Sequence, residues 1–405
     1  MGGGPAGSAC ALALLRGAAA RGVDLRVVVY EPKDFAIQGN VCAGVLSPPF
    51  GRLLDGLGLA LPPDVVQRRI EAYELHTDGA RLLLPNRLDG EATVATDRAD
   101  LDRFLLASAE SAGAEVRHEE VTNLDFSAGG VAVTAASGSS LMADVLVGAC
   151  GLARRAAQLL EQHTSYRTPP MMRSLLIDIT MAPREIDERI GQRIHALLLA
   201  SQPGVEFAAL TPKQGHVTVN VAGPAIGPLD LDSAVAHFQR LGLLPARVPE
   251  ARRHGGAFPA GPARGIFGDR LVTIGNTSGL LRPLKGKGIN AGLLTGTRAA
   301  EVMLELGISH AAFAEYYRRC HEITSDYSYG LLLRWLYRFA SRLGALDPVL
   351  NLAPRQPVLR RAFYDMVSGE GSYRDVVLSL LRPWLWLQIG QAVSGHALGR
   401  LLRRR

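Results

Sequence analysis

The chain has 405 residues, of which 47% are hydrophobic and 20% are charged, and its formal net charge is +6. This composition excludes a disordered chain, and so modest a charge gives no reason to expect a nucleic-acid partner. The length favours two or more lobes. The cysteines (Cys10, Cys42, Cys150 and Cys320) are too few and scattered for a disulfide framework, which favours a reducing, cytoplasmic compartment.

A glycine-rich turn of the form G-x-G-x-x-G opens the chain and leads into an Ala- and Leu-rich helix. A short β-type run follows and ends at Glu31, which precedes Pro32. The first glycine permits a tight turn, the second lets a pyrophosphate approach the backbone, and the third lets the helix pack closely. The acid can accept hydrogen bonds from ribose hydroxyls and disfavours NADP. The pattern predicts a dinucleotide site, with the turn formed by Gly2, Gly4, Pro5, Ala6 and Gly7.

The start of the chain is unusual, because such a turn normally follows a buried strand and here it follows only Met1. We expect a missing first strand, through either a truncated gene sequence or genuine loss. The apolar run 9–20 has no basic residues before it, so no secretory signal is predicted. No uninterrupted apolar stretch of about 20 residues is present, so no membrane span is expected.

A second glycine-rich segment follows a β-type run at 269–274. A strand, a loop of small residues and a glycine-rich helix start form another place where backbone donors converge on an anion, although an ordinary strand-to-helix turn is the alternative. The candidate binding residues are Gly275, Asn276, Gly279, Pro283, Gly286, Gly288 and Ile289.

Both segments resemble those of the para-hydroxybenzoate-hydroxylase-like flavoproteins, and most closely those of the geranylgeranyl reductase family. The resemblance implies FAD as cofactor: the second segment would contact the ribityl chain and pyrophosphate, and the helix start would face the flavin pyrimidine. Asn276 stands where the family usually has aspartate. An amide can still hydrogen-bond a ribityl hydroxyl.

Four further segments extend the resemblance. Glu31 and Pro32 stand in a stretch similar to the family's strand that ends in the ribose-binding acid, so both are candidate cofactor-binding residues. Cys42, Ala43 and Gly44 match a family segment beside the isoalloxazine, and Arg98 matches an arginine that lies along FAD. A looser match to a segment lining the substrate cavity is carried by Phe207, Pro212 and Lys213. Cys42 is the candidate proton donor, with an inert buried thiol or a water as the alternatives.

One departure weakens a hydroxylase interpretation. Cys150 replaces the aspartate that the monooxygenases use in handling FAD and NADPH. The resemblance therefore favours an FAD-dependent reductase of carbon–carbon double bonds in a hydrophobic, prenyl-type substrate. An NAD(P)H-dependent flavin monooxygenase of an aromatic or polyketide-like substrate is the alternative, and a flavin-binding protein without turnover is a third. The electron donor, whether NAD(P)H, another reductant or a partner protein, is left open.

The predicted fold class is α/β: a discontinuous Rossmann-like FAD-binding domain apparently lacking its first strand, an antiparallel substrate sheet and a helical carboxy-terminal region. The histidines show no metal-ligand spacing, so no metal site is predicted. The expected pieces are 1–60, 90–165 and 255–310 for FAD binding, 61–89 and 166–254 for the substrate domain, and 311–405 for the helical region.

Large apolar and aromatic residues stand beside arginines in the helical region, at 331–339 and 376–387. Packing onto the main body or onto a second subunit is one interpretation. Peripheral contact with the inner face of the membrane, or a tunnel for a lipid tail, is the other. The basic tail ending in Arg405 can meet anionic lipid or remain solvated.

Overall fold

A computed structural model describes residues 1–87, 90–198, 204–248, 251–284 and 287–403, with only the helical backbone described for 397–403. The strands, in chain order, are β1 (Val28–Tyr30), β2 (Val45–Leu46), β3 (Val66–Ile70), β4 (Ala72–His76), β5 (Arg81–Pro85), β6 (Thr93–Thr96), β7 (Glu115–Arg117), β8 (Val121–Ser127), β9 (Gly130–Ala135), β10 (Ser140–Ala143), β11 (Leu146–Gly148), β12 (Met171–Thr180), β13 (Arg193–Leu197), β14 (Phe207–Pro212), β15 (His216–Gly223), β16 (Arg252–Pro259), β17 (Phe267–Gly268) and β18 (Leu271–Thr273).

The helices, in chain order, are α1 (Pro5–Ala20), α2 (Phe50–Gly56), α3 (Arg98–Ser111), α4 (Arg154–His163), α5 (Pro183–Arg189), α6 (Pro228–Arg240), α7 (Gly288–Leu306), α8 (His310–Arg319), α9 (His321–Thr324), α10 (Tyr327–Arg342), α11 (Leu346–Leu352), α12 (Pro357–Ser368), α13 (Tyr373–Leu380) and α14 (Pro383–Arg403).

Helix α1 is built for close packing. Pro5 occupies its first turn, where the fixed φ of proline suits a helix start. It ends at Ala20, and Gly22 follows with a φ of +65°, the left-handed conformation typical after a helix. Small residues let α1 approach α7 closely: a Cβ at Gly296 would lie 2.4 Å from the Ala6 carbonyl oxygen. This contact holds the first turn of α1 against the carboxy-terminal half of the chain.

Short parallel strands place several loop starts at one edge. β1 pairs with β7 and β11 pairs with β18, both in parallel. Met1 and Gly2 run between β1 and β11: the Met1 amine donates to the Val147 carbonyl (3.0 Å), and the Gly2 N–H donates to the Tyr30 carbonyl (2.8 Å). The carboxyl ends of β1, β11 and β18 therefore meet beside the start of α1, where open α/β sheets bind their ligands.

The second lobe is a seven-stranded sheet in the order β16-β12-β15-β14-β13-β4-β5. The described strands β12 to β16 pair antiparallel, as predicted, whereas β4 joins this sheet in parallel with β13. The reason is that β4 comes from a much earlier part of the chain and enters through a long crossover, which parallel pairing requires. One face packs against α5 and α6 through Ile186, Val219 and Phe238.

The carboxy-terminal helices cover the opposite side of β4 and β5 and the loop before α7. Leu350 and Leu359 pack against Tyr73 of β4, and Leu333 of α10 packs with Tyr373 of α13. Among the described helices, none alone has the length and hydropathy to cross a bilayer. The pair Tyr373–Leu380 and Pro383–His396 meets those criteria only when taken together, with a 76° bend between them.

Candidate functional site

The glycines of the amino-terminal turn have different surroundings. Gly2 has φ of +110°, and a Cβ there would lie 2.2 Å from the Ala149 carbonyl oxygen. A Cβ at Gly7 would lie 1.9 Å from the Gly2 carbonyl oxygen. Around Gly4, by contrast, a Cβ would meet no heavy atom within 4 Å. Protein packing therefore requires glycine at the first and third positions, whereas the middle glycine borders open space at the start of α1.

Glu31 holds this turn from the end of β1. Its side chain is buried, its Oε2 accepts a hydrogen bond from the Gly3 N–H (2.8 Å), and its Oε1 accepts one from the Lys33 N–H (3.0 Å). Each carboxylate oxygen has a second lone pair. Glu31 can thus fix the turn and still accept a hydrogen bond from a ribose hydroxyl, while Pro32 beside it is exposed.

The two glycine-rich segments contact each other directly. Gly275 has φ of +59°, and a Cβ there would lie 2.7 Å from the Ala6 Cβ. A Cβ at Gly292, on the first turns of α7, would lie 3.3 Å from the Ala6 backbone nitrogen. The structure therefore brings the ends of the chain together at one helix start, and Gly292 joins the predicted set.

A flavin dinucleotide fits this junction. The Asn276 Oδ1 is buried and finds no hydrogen-bond donor among the described residues, although a buried acceptor normally has one. This oxygen lies at the start of α7, because a Cβ added at Gly288 would be 3.1 Å from it. The first turns of α1 and α7 also receive no side-chain cap, so their N–H groups remain available to an anion. A ribityl hydroxyl and a pyrophosphate are groups that would satisfy these atoms.

Other predicted members of the second segment shape the loop. Gly279 has φ of +65°, and a Cβ there would lie 2.4 Å from a backbone oxygen, that of Gly261. Pro283 packs against α10 so tightly that a Cβ at Gly330 would lie 2.5 Å from its Cγ. The Ile289 side chain is buried in the core, so only its backbone is placed to face a cofactor. Gly286 lies outside the described residues.

Cys42 is connected to a polar network. Arg98 makes an ion pair with the fully buried Asp102 (2.8 Å) and lies close enough to the Cys42 side chain to interact with it electrostatically. Burial would lower the pKa of Arg98, but Asp102 and then Cys42 outweigh it, so the pKa is raised. The second Asp102 oxygen accepts from Asn40 (2.5 Å), and Asn40 accepts from Lys33 (2.5 Å). Arg98 thus already has a carboxylate partner in the protein.

The segment carrying Cys42 and Ala43 lies between the two lobes. Gly44 has φ of +72°, and a Cβ there would lie 2.2 Å from the Thr96 carbonyl oxygen. The Gly44 N–H also donates to the Cys42 sulfur (3.4 Å). Val41 lies beside β16, where a Cβ at Gly256 would be 3.1 Å from it. The half-buried Cys42 thiol is therefore fixed at the boundary between the three-stranded sheet β2-β6-β3 and the large sheet.

The predicted substrate residues do not share one wall. Phe207 begins β14 and Pro212 ends it, and residues five apart along a strand point to opposite faces. Pro212 pairs with Val217, which belongs to the core beneath α5 and α6. Lys213 is buried, and its carbonyl accepts a hydrogen bond from Arg68 (3.1 Å). The loose sequence match missed this alternation.

The remaining cysteines have the environment of inert thiols. Burial raises the pKa of Cys10 to about 12, and it raises the pKa of Cys320 to about 12. Burial also raises the pKa of Cys150, whose sulfur lies 3.5 Å from the Thr277 hydroxyl. A thiol with a raised pKa stays protonated and is a poor nucleophile at neutral pH. Cys42 differs from them in lying beside the Arg98 guanidinium.

No family model matches the chain. A digeranylgeranylglycerophospholipid reductase from Methanothermobacter thermautotrophicus is 24% identical over 420 aligned positions, covering 96% of each chain. A geranylgeranyl bacteriochlorophyll reductase-like protein from Thermoplasma acidophilum has a TM-score of 0.73 at 17% identity, covering 90% of this chain and 97% of its own. A flavin-dependent brominase has a TM-score of 0.70 at 16% identity, covering 100% and 98%.

These comparisons confirm the predicted resemblance to the geranylgeranyl reductase family and the predicted fold class. The structural likeness extends over both lobes and the helical region, because nearly all of each chain is covered. At such identities the solved structures establish the fold, and a brominase shares it with a reductase-like protein. What the site does must therefore be argued from its residues.

Proposed function

We propose that this chain, which resembles the geranylgeranyl reductase family, is an FAD-dependent oxidoreductase that reduces carbon–carbon double bonds in a hydrophobic, prenyl-type substrate. The observation that supports this proposal most directly is the contact of the two glycine-rich segments at Ala6. The 24% identical relative is named a reductase of a geranylgeranyl lipid, which supports this substrate class. The FAD-binding unit comprises 1–60, 90–165 and 255–310, and the substrate unit comprises 61–89 and 166–254.

Each part of the site has a role in this proposal. The helix starts at Gly4 and Gly288 hold the pyrophosphate, and Glu31 and Asn276 hold ribose and ribityl hydroxyls. When bound, reduced flavin supplies hydride to the alkene. The Cys42 sulfur holds a proton for the other alkene carbon, and Arg98 stabilises the thiolate that remains. The lobes on either side exclude water from the substrate.

The test begins with the flavin of the purified protein. In one sample the cofactor is released by denaturation and identified by its mass. A second, native sample is reduced with dithionite without oxygen and mixed with a geranylgeranyl lipid. We expect FAD and a product that gains two hydrogens for each reduced double bond, read by mass spectrometry. A farnesyl lipid and a saturated phytanyl lipid serve as the shorter substrate and the inert control.

The same assay separates the alternatives. Oxygen-dependent hydroxylation of an aromatic substrate with NADPH, and no alkene reduction, would contradict the reductase and favour the monooxygenase. Tight FAD binding with no turnover under either condition would favour a flavin-binding protein. No observation at the site favours the monooxygenase over the reductase, since the half-buried Cys150 lies beside Thr277 where those enzymes carry aspartate.

We propose further that α10, α13 and α14 contact an anionic membrane surface. Trp335 and Phe339 of α10 stack at 5.4 Å and are 58% and 49% exposed. Such aromatic residues next to arginines are typical of helices that lie at a lipid interface. Among the side chains that the structure describes in these helices, further exposed apolar ones are Leu331, Leu332, Leu378, Trp384, Trp386 and Leu387. Exposed arginines nearby include Arg342 at the end of α10 and Arg382 just before α14. This region would deliver a prenyl lipid to the site.

Cosedimentation with vesicles tests the membrane contact. The double variant Trp335→Ser/Phe339→Ser is expected to lose binding to phosphatidylglycerol vesicles while keeping its flavin, because the aromatic pair is far from both glycine-rich segments in sequence and is exposed. A matched control is Met142→Ser, which removes an apolar side chain of 64% exposure from β10. Equal sedimentation of the wild type and the double variant would contradict the proposal.

A further inference from the structure

A buried polar cluster lies in the large sheet. Glu74 and His76 are alternate residues of β4, and the parallel register places His195 of β13 directly opposite Glu74. All three are at most 8% exposed. The His76 Nε2 and His195 Nδ1 are 3.0 Å apart, and the His195 Nδ1 is 3.9 Å from the Glu74 Oε2. The flavin chemistry proposed above does not use this cluster.

We propose that Glu74, His76 and His195 bind a divalent metal ion of the zinc type. One oxygen or nitrogen from each residue lies within 4.8 Å of the other two. Two imidazoles and a carboxylate are a donor set that tetrahedral zinc accepts. At a zinc–nitrogen distance of about 2.0 Å, neighbouring ligand atoms of a tetrahedron are about 3.3 Å apart. The two histidine nitrogens already have close to that separation.

The surroundings of the histidines suit metal ligands. The other ring nitrogen of His195, Nε2, is 3.5 Å from the Ile190 carbonyl oxygen, which favours the tautomer that leaves Nδ1 as an acceptor. Metal-bound histidines commonly make such an outer contact with a carbonyl.

Arg193 provides both a partner and a path. Its guanidinium donates to the Glu74 Oε2 (2.9 Å), and its side chain is 43% exposed. A carboxylate offers about four lone-pair positions, so Glu74 can accept the hydrogen bond from Arg193 and bind a metal ion at the same time. Because the Arg193 side chain is partly exposed, the Glu74 end of the cluster lies near solvent, and a usable metal site needs such an entry.

The location points to a structural role. The cluster lies on the face of the sheet covered by α5 and α6, because Leu197, two residues after His195, belongs to their core. The hairpin of β4 and β5 joins the rest of the described sheet through β13. A metal ion held by both strands would fasten that hairpin to the sheet across a long stretch of chain.

Metal binding can be measured on the flavin-loaded full chain, prepared without a histidine tag and dialysed against a chelator. Zinc titration by calorimetry is expected to give one equivalent, and cobalt is expected to give the visible absorption of a tetrahedral site. Glu74→Gln and His195→Gln should lose this stoichiometric binding. His254→Gln is the matched control, since His254 lies on β16 of the same sheet and outside the cluster.

The outcomes separate a metal site from a hydrogen-bonded core. Zinc should raise the melting temperature of the wild type and of His254→Gln but not of the two cluster variants, and none should lose FAD. No saturable binding by the wild type overturns the proposal, as does weak binding that is the same in every variant. If a cluster variant does not fold, zinc titration of Glu74→Asp and the cobalt absorption spectrum of the wild type replace it as the test. An octahedral cobalt spectrum overturns the proposed site.

Discussion

At the scale of single residues, the amino-terminal glycines show why one motif contains positions of different kinds. A Cβ added at Gly2 or Gly7 would lie closer to backbone atoms than van der Waals contact allows, whereas a Cβ added at Gly4 would meet open space. The sequence pattern predicted the roles of all three. Only the structure separates those that the fold needs from the one that a ligand needs.

Gly4→Val is therefore expected to lose FAD while keeping the fold, because its side chain would fill the space of the pyrophosphate. The measurement is the ratio of flavin to protein absorbance, together with the melting temperature under excess flavin. Gly227→Val is a matched control: Gly227 is also an extended helix cap before a proline, and a Cβ there also meets no atom within 4 Å. A Gly4→Val protein that retains full FAD would refute this half-site.

Cys42→Ala is expected to lower alkene reduction by about 10²-fold, the lower range for a lost general acid, with FAD occupancy unchanged. Cys320→Ala is the control, since that thiol is buried under α8. Unchanged turnover would show that water donates the proton.

At the scale of elements, the carboxy-terminal helices support the second glycine-rich segment. Arg282 lies within that segment and pairs with Asp326 before α10 at 2.6 Å, with side chains 15% and 5% exposed. Asp326 also accepts from the N–H groups of Tyr373 and Arg374 at the start of α13 (3.0 Å each). From the sequence we predicted a helical region separate from the flavin site, whereas the ion pair of Arg282 with Asp326 connects the two.

Asp326→Asn is expected to lower the melting temperature and weaken FAD retention. It leaves the Arg282 guanidinium buried without its charge partner, and breaking such a pair costs about 3–5 kcal/mol. Glu188→Gln is the control, because its pair with Arg184 is largely exposed and is worth under about 1 kcal/mol. Thermal unfolding and flavin fluorescence measure the two effects. Equal values for the wild type and Asp326→Asn would contradict the coupling.

The sequence was most informative where the signal is local. The turn around Gly4 and the loop around Gly275 could be predicted because spacing within a few residues fixes their conformation. The parallel pairing of β4 with β13 could not, since nothing near either strand specifies so distant a partner. For the same reason, histidine spacing gave no indication of the cluster at His195. The sequence match around β14 likewise could not show that the side chains of Phe207 and Pro212 point to opposite faces of the sheet.

At the scale of the whole molecule, the lobe that contains the large sheet holds several histidines whose side chains are neutral in the folded protein. Burial is the main cause that lowers the pKa of His76, His195, His216 and His237. An unfolded chain exposes these rings to water and restores their ordinary pKa. Folding therefore releases protons in mildly acidic solution, and the stability of the protein should depend on pH through this lobe.

The metal-free protein is expected to lose stability as the pH falls from about 6.5 to about 4. Because the folded pKa of His195 is about 4 and its ordinary value is 6.5, the unfolded state binds more protons within this window. The contribution is fully present above pH 6.5 and is lost towards pH 4. Urea unfolding followed by circular dichroism in the presence of a chelator gives the free energy of unfolding at each pH.

His195→Gln isolates this contribution from that of the carboxyl groups, which also titrate at the acid end. Glutamine keeps a polar group against Ile190 but takes up no proton, so the free energy of unfolding of the variant should fall less steeply between pH 6.5 and 4. His163→Gln, at the exposed end of α4, should follow the wild type. Parallel curves for the wild type and His195→Gln would mean that His195 takes up no more protons on unfolding than the glutamine does, and the buried neutral imidazole would be ruled out.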